Sequence, residues 1–217
     1  LLEKKIPVLY RNNFAKDLLA KLYLDKLFFE LVDVDCFGCP NGLLQPIIQI
    51  LEFNGILILS STDGRSTTGH DRLGAIRTLS ASARTHPASW EIAIRLQLAS
   101  IARQAWLFGR GVEPLACFSE GRTFRIIVRL KKNLAFNEEA QLGFIARCHA
   151  CGDQASQSLL AFREWKDCCC TKGSSHFLIN GPLWLGPLQS VNVLRKLKRL
   201  SDEFPVPISQ QSRNLID

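Results

Sequence analysis

Between Phe14 and Lys26 apolar residues recur at helical spacing, with Leu18, Leu19, Leu22 and Leu27 on one side, and this predicts an amphipathic helix. The run Phe28–Asp35 is apolar and ends in acid, as a buried strand with a polar C-terminal tip does. A loop, Cys36–Pro40, follows it. Gly42–Phe53 returns to helical spacing, with Gly55 placed to end the helix. Ile56–Asp63 is a second apolar strand, again tipped by an acid. Gly64–Arg72 reads as a polar connection. Ala88–Phe108 carries the clearest helical stripe, Ile94, Leu98, Ile101 and Ala105. Pro87 suits its first turn, Glu91 can pair with Arg95, and Gly109 or Gly111 stops it. Val112–Ser119 and Thr123–Leu130 flank Glu120-Gly121, a hairpin signal.

Strands alternating with helices predict a doubly wound parallel α/β sheet, closed at one edge by an antiparallel hairpin. Ligands of such sheets bind beyond the C-terminal strand ends, where Asp35 and Asp63 both stand. Neither a G-x-G-x-x-G loop nor a P-loop occurs. After Lys132 the character changes. Asn133–Gln141 is a polar join, a Cys-rich stretch follows, and Leu194–Leu200 reads as a basic amphipathic surface helix.

The chain has 217 residues, 47% of them apolar and 22% charged, which excludes a disordered tail, a collagen-like repeat and a coiled coil. Residues 36–51 and 173–194 lack formal charge, but Gly, Pro, Asn, Gln and Ser break both, so neither reads as a membrane span. There is no Met and no signal-peptide pattern at the start, and the chain reads as a piece of a longer protein. Net charge is +7 and uneven. Residues 64–132 hold 12 basic and 4 acidic side chains, an excess that suits either a polyanion or a solvated basic face. Arg84, Arg95, Arg103 and Arg110 are candidate phosphate contacts, some of which will be structural.

Three constellations carry candidate chemistry. In Asp35-Cys36-Phe37-Gly38-Cys39-Pro40, an acid and an aromatic ring sit one residue apart at a strand tip. An exocyclic base amine is a poor nucleophile because its lone pair is delocalised. A carboxylate accepting its N–H bonds draws it toward a methyl donor, and a ring holds the base flat. The same residues also read as an ordinary strand end before a core Phe and a Pro turn. Ser60–Gly64 either lines the same cleft or forms a turn with a local Asp bond. Last, Cys148-His149-Ala150-Cys151-Gly152 is half of a zinc knuckle. Cys168 with Cys170, or Cys169 with Cys170, would complete it, and His149 or His176 could replace a thiolate. Cys36, Cys39 and Cys117 read as small core residues.

Asp33–Pro40 resembles the D-x-D-P-[FY]-G-[ST]-P motif of the tRNA (guanine-26-N2)-dimethyltransferases. Phe108–Leu115 resembles that family's helix-to-strand join, and Phe124–Arg129 its F-R-x-x-V-R strand. Cys148–Cys151 and Gly181–Leu188 resemble its C-x-x-C and G-P-[IL]-W-x-G-P-L. These matches stand in the family's order across Val32 to Leu188. The resemblance implies the later half of a class I S-adenosylmethionine-dependent, Rossmann-like α/β domain over 1–132. A Cys-rich, zinc-binding, tRNA-binding domain would begin within 133–217.

It further implies methylation of guanine N2 in tRNA, once or twice. Asp35 would accept the N2–H and Phe37 would stack as the catalytic pair. Asn13, Asp35, Gly38 and Pro40 would border S-adenosylmethionine, and Cys148, Cys151, Cys168 and Cys170 would hold zinc. The partner would be tRNA, with no membrane and a monomer expected. Cys36 and Cys39 replace the family's Pro and Ser/Thr. The half that carries the Gly-rich cofactor loop would precede Leu1, so the chain alone is expected to lack part of the cofactor site. Two other readings stay open: a non-catalytic RNA-binding protein with a degenerate methyltransferase fold, and an amino-methyltransferase for another substrate such as rRNA.

Overall fold

The computed structural model describes residues 8–121, 123–165, 168, 170 and 177–203. Helix α1 (Ala15–Leu24) precedes strand β1 (Phe29–Asp35). A 3-10 turn at Pro40–Leu43 leads into α2 (Leu44–Ile50) and then β2 (Leu51–Ser61). Two short helices, α3 (Gly64–Thr67) and α4 (Arg72–Leu79), and the long α5 (Ser89–Trp106) follow. Then come the hairpin β3 (Val112–Glu120) and β4 (Thr123–Leu130), the strands β5 (Leu142–Cys148), β6 (Gln154–Ser158) and β7 (Phe177–Trp184), and α6 (Val191–Glu203). Among the described residues no helix is long and apolar enough to cross a membrane.

The first sheet has the order β1-β2-β4-β3 and the second β6-β5-β7. Among the described strands only β1 and β2 run parallel; the hairpin adds β4 antiparallel against β2, with β3 at the edge. The alternation in β4 is regular, with Phe124, Ile126, Val128 and Leu130 fully buried. They share one core with Leu57 and Leu59 of β2, the apolar sides of α1 and α2, and Ala93, Leu98, Ile101 and Ala105 of α5. The opposite face, with Ile56, Ile58, Ile127 and Arg129, is half-exposed. Among the described residues these three helices cover one face of a mixed α/β sheet, with the antiparallel hairpin at its edge as expected.

Two corrections concern local structure. The helix read over Gly42–Phe53 ends at Ile50, and β2 begins at Leu51. Asn54 takes φ 62°, and the β1–β2 register jumps from Phe29↔Leu51 to Leu31↔Ile56. Gly55 ends no helix. A Cβ there would stand 3.0 Å from the carbonyl oxygen of Glu30 on the neighbouring strand, so this position admits the strand crossing because it has no side chain. The polar stretch after Asp63, to which the sequence pattern assigns no element, holds α3 and leads into α4. Asp63 and Asp71 cap them, accepting from the amides of Ser66 at 3.1 Å and Gly74 at 2.8 Å.

Three of the four candidate phosphate-binding arginines serve the fold. Arg110, 4% exposed, donates to the carbonyls of Ile48 (2.9 Å), Leu51 (2.8 Å), Glu52 (2.5 Å) and Leu130 (2.9 Å). One cation thus satisfies the end of α2, the start of β2 and the end of β4, where a helix terminus welcomes positive charge. Arg103 donates to the carbonyls of Leu79 (2.5 Å) and Ser80 (3.4 Å) at the end of α4. Arg95 pairs with Glu91 at 2.8 Å and donates to the carbonyls of Trp184 and Gly186, each at 2.9 Å. The Gly181–Leu188 tract is in this way tied to α5. A second tie is the bridge in which Ser82 and Gly181 exchange backbone bonds of 2.7 and 2.9 Å. Replacing Arg110 by Met strands buried carbonyls and is expected to cost about 3 kcal/mol in urea unfolding. Lys16→Met, on the exposed side of α1, is expected to stay within about 0.5 kcal/mol.

Candidate active site and metal centre

The parallel ladder pairs Asp33 with Ile58, Val34 with Leu59 and Asp35 with Ser60. Both strands therefore run out at the same edge. Val32 and Val34 turn toward the core, leaving Asp33 and Asp35 on the other, exposed face. The chain bends at Phe37 and Gly38, with Gly38 at φ 82°, a left-handed conformation natural for glycine. Three bonds tie this loop to the tip of β2. The Gly38 amide donates to Thr62 Oγ1 at 2.7 Å, the Thr62 amide donates to the Gly38 carbonyl at 3.1 Å, and the Ser61 hydroxyl donates to the same carbonyl at 3.1 Å. Of the two readings of Ser60–Gly64, the structure holds both: Ser61 and Thr62 engage the Asp35 loop, while Asp63 caps α3.

Phe37 is 101% exposed. Among the described residues its ring has no neighbour to pack on, so both faces are open to a flat partner. The core reading of this Phe is thereby excluded. Pro40 is buried at the start of the 3-10 turn. Asn41 anchors the far side of the loop by donating through Nδ2 to the Thr78 carbonyl at 2.7 Å. Asn13 lies exposed ahead of α1 and has no hydrogen bond among those present in the described residues. The structure thus gathers Asp35, Phe37, Gly38 and Pro40 on one loop and leaves Asn13 apart from that hydrogen-bond network. Sequence reasoning did not single out Asn41 or the individual roles of Ser61 and Thr62. Hydroxyls at the tip of the neighbouring strand were their only signal.

Cys117 is buried as expected, and burial pushes its thiol up to about 12. Cys39 is half-buried and packs against the cluster of Ala75, Leu79 and Leu96, whereas Cys36, also half-buried, belongs to the loop and corrects its reading as a core residue. Burial and the Asp35 carboxylate push the Cys36 thiol up. Burial also raises Cys39, more than the Asn41 amide lowers it.

The second site lies at the far end of β5. The thiol sulfurs of Cys148, Cys151, Cys168 and Cys170 all lie within 4.8 Å of one another. Cys148 Sγ is 3.4 Å from Cys168 Sγ and 3.9 Å from Cys170 Sγ. Sulfurs at the corners of a tetrahedron around zinc are separated by about 3.8 Å, given Zn–S bonds of about 2.3 Å, so the set fits such an ion. The turn that brings Cys151 round is closed by the Gly152 amide on the Cys148 carbonyl at 3.1 Å, with Gly152 at φ 79°. The Cys151 amide, donating to the Cys148 sulfur, is the main cause that draws this thiol down to about 6. The Cys151 and Cys148 thiols push Cys170 up, and Cys148 pushes Cys168 up against the lowering amide of Cys170. Four adjacent thiols cannot all ionise without a cation among them. His149 is exposed and outside the cluster; Cys169 and His176 lie outside the described residues.

The family model described as N2,N2-dimethylguanosine tRNA methyltransferase matches residues 7–216. The chain belongs to this family. Among the family's curated members it is 25% identical to the tRNA (guanine(26)-N(2))-dimethyltransferase of Schizosaccharomyces pombe, over 100% of this chain and 45% of that one. Against the enzyme of the same name from Pyrococcus abyssi it is 24% identical, over 100% of this chain and 54% of that one. Saccharolobus islandicus (strain M.16.27) has a relative 28% identical over 88% of this chain and 50% of its own. The solved complex of Trm1 from Pyrococcus horikoshii with S-adenosyl-L-methionine superposes with TM-score 0.78 at 22% identity, covering 90% of this chain and 50% of that one. It shares the fold. The chain spans about half the length of the relatives it matches.

The thiol cluster generates its own expectation. Purified from zinc-supplied cells, the chain is expected to carry about one zinc ion by elemental analysis. Cys148→Ser is expected to lower that content several-fold, and a strong chelator to lower the unfolding midpoint.

Proposed function

We propose that the chain is the later part of an S-adenosylmethionine-dependent tRNA methyltransferase that transfers one or two methyl groups to the exocyclic N2 of guanine 26. The observation that carries this reading is the Asp35–Phe37–Gly38 loop, bonded to the β2 tip in a chain that belongs to the family. The carboxylate of Asp35 accepts the guanine N2–H bonds, turns the nitrogen lone pair out of the ring and stabilises the positive charge that develops on nitrogen. Phe37 stacks on the purine and fixes its plane. Asp35 also suits the proton that the amine must lose.

S-adenosylmethionine, when bound, supplies the electrophilic methyl group. Gly38 suits one flank of its site: a Cβ built there meets nothing within 4 Å, so a ligand can approach the backbone closely. Pro40, Asp35 and Asn13 would border the same flank. A Gly-rich loop for the other flank has no counterpart among the described residues. Residues 1–132 would form the later half of the catalytic domain and 133–217 the start of a tRNA-binding domain, with zinc shaping the turn between β5 and β6.

The test is methyl transfer from labelled S-adenosylmethionine to unmodified tRNA by the chain extended N-terminally to the length of its relatives. Asp35→Ala is expected to lower guanine-N2 methylation by at least about 100-fold while leaving tRNA affinity within about twofold. Phe37→Ala is expected to cost about tenfold, mostly in KM. An extended wild-type chain that binds tRNA and transfers no methyl would overturn the catalytic reading in favour of an RNA-binding remnant.

A further inference from the structure

The 12 basic residues of 64–132 are not equivalent. Arg95, Arg103 and Arg110 are consumed by backbone carbonyls, and Arg129 and Lys131 share Glu113 at 3.1 and 3.4 Å. Arg65 on α3, Arg72 and Arg77 on α4, and Arg84 in the turn before α5 differ. Their side chains make no hydrogen bond or ion pair among the described residues. Arg65, Arg72 and Arg77 are exposed and Arg84 is half-exposed. The two acids of the stretch, Asp63 and Asp71, are turned onto helix amides, so neither neutralises a guanidinium by contact.

This segment is fastened to the candidate loop at both ends. Asp63 follows Thr62, which bonds Gly38, and Thr78 accepts from Asn41. The turn at Gly69 is pressed against the backbone of Arg84, where a Cβ would come within 2.5 Å. Two open grooves flank α4, each of about 570 Å3 and each bordered by arginine. Arg72 and Arg84 line one with Gly181 and Pro182. Arg77 lines the other with Cys39 and Asn41, directly behind the Asp35 loop.

We infer that α3, α4 and the turn to Arg84 form the docking surface for the sugar–phosphate backbone of the RNA whose base enters the Asp35 loop. Guanidinium groups without carboxylate partners, arrayed along grooves, match phosphodiester oxygens in charge and in their forked donor geometry. Such contacts position the RNA without reading its sequence. The inference rests on the proposed reading of the site for its orientation relative to the base, and on the partnerless arginines for the surface itself.

Fluorescence-anisotropy titration of the full chain with an unmodified tRNA transcript tests it. The triple change Arg72→Gln, Arg77→Gln, Arg84→Gln is expected to weaken binding at least about tenfold at about 0.1 M salt and to flatten the log–log salt dependence by about 3. Its unfolding midpoint is expected to hold, since none of these side chains makes a bond. Lys16→Gln, Lys21→Gln, Lys26→Gln removes the same charge from α1 and its end, and is expected to leave affinity within about twofold. Equal affinity for the arginine triple and the wild type, equal losses in both triples, or no tRNA binding by the wild type would each overturn the surface. Methyl transfer separates the two readings. Arginine-dependent binding without transfer removes the catalytic reading alone, whereas transfer with binding indifferent to the triple removes the surface alone.

Discussion

The parallel pairing of β1 with β2 is the constraint on which the site depends. Its register, Asp35 opposite Ser60, ends both strands at one edge and lets Gly38, three residues past β1, bond to Thr62, the residue after β2. A slip of one residue would turn Asp35 onto the core face and move Val34 into solvent. Burial of Val32, Val34, Leu57 and Leu59 against one helical layer therefore fixes where a carboxylate and an aromatic ring stand on the surface. The link from packing to chemistry is short: the core sets the register, the register sets the tip, and the tip holds the loop.

Arginine shows how environment assigns roles to one residue type. Arg110 lies in the core without a carboxylate, held by carbonyls whose strand and helix partners ended elsewhere. Arg103 closes α4 and Arg95 fastens the Gly181–Leu188 tract to α5. Glu138 is the acidic counterpart. It is buried, and accepts from Trp106 Nε1 and the Val112 amide at 2.8 Å each and from the Ala135 amide at 2.9 Å. These buried charges are held by the fold itself, whereas the side chains of Arg65, Arg72, Arg77 and Arg84 make no hydrogen bond or ion pair among the described residues.

Much of this was legible in the sequence, for physical reasons. β1, the later part of β2, the hairpin and α5 have long apolar or alternating runs, and periodicity marks such runs well. The Glu91–Arg95 pair followed from helical spacing. The start of β2 was not legible, because Ile47, Ile48, Ile50 and Leu51 continue the apolar spacing of α2 straight into the strand. Only the crossing at Gly55 and the positive φ of Asn54 divide them. α3 and α4 were missed because each is short and is held by an Asp cap more than by an apolar stripe. The four-thiol set was named in advance by the family resemblance, while the residues themselves left open which of Cys168 and Cys169 joins Cys170; the structure brings Cys148, Cys151, Cys168 and Cys170 together. Among the arginines, sequence could register the excess of charge but not which side chains the backbone had already engaged.

In the proposed site the Asp35 carboxylate holds the exocyclic amine of a purine, and a single substitution in the RNA tests this most directly. Inosine at position 26 has the same ring and lacks the 2-amino group. With the chain extended to its relatives' length, labelled methyl transfer is expected with tRNA bearing guanosine 26. It is expected to vanish with inosine 26, while the two RNAs bind within about twofold of each other. Equal methylation of both RNAs would contradict the account, since the acceptor would then be a group that the Asp35 loop was not shaped to hold.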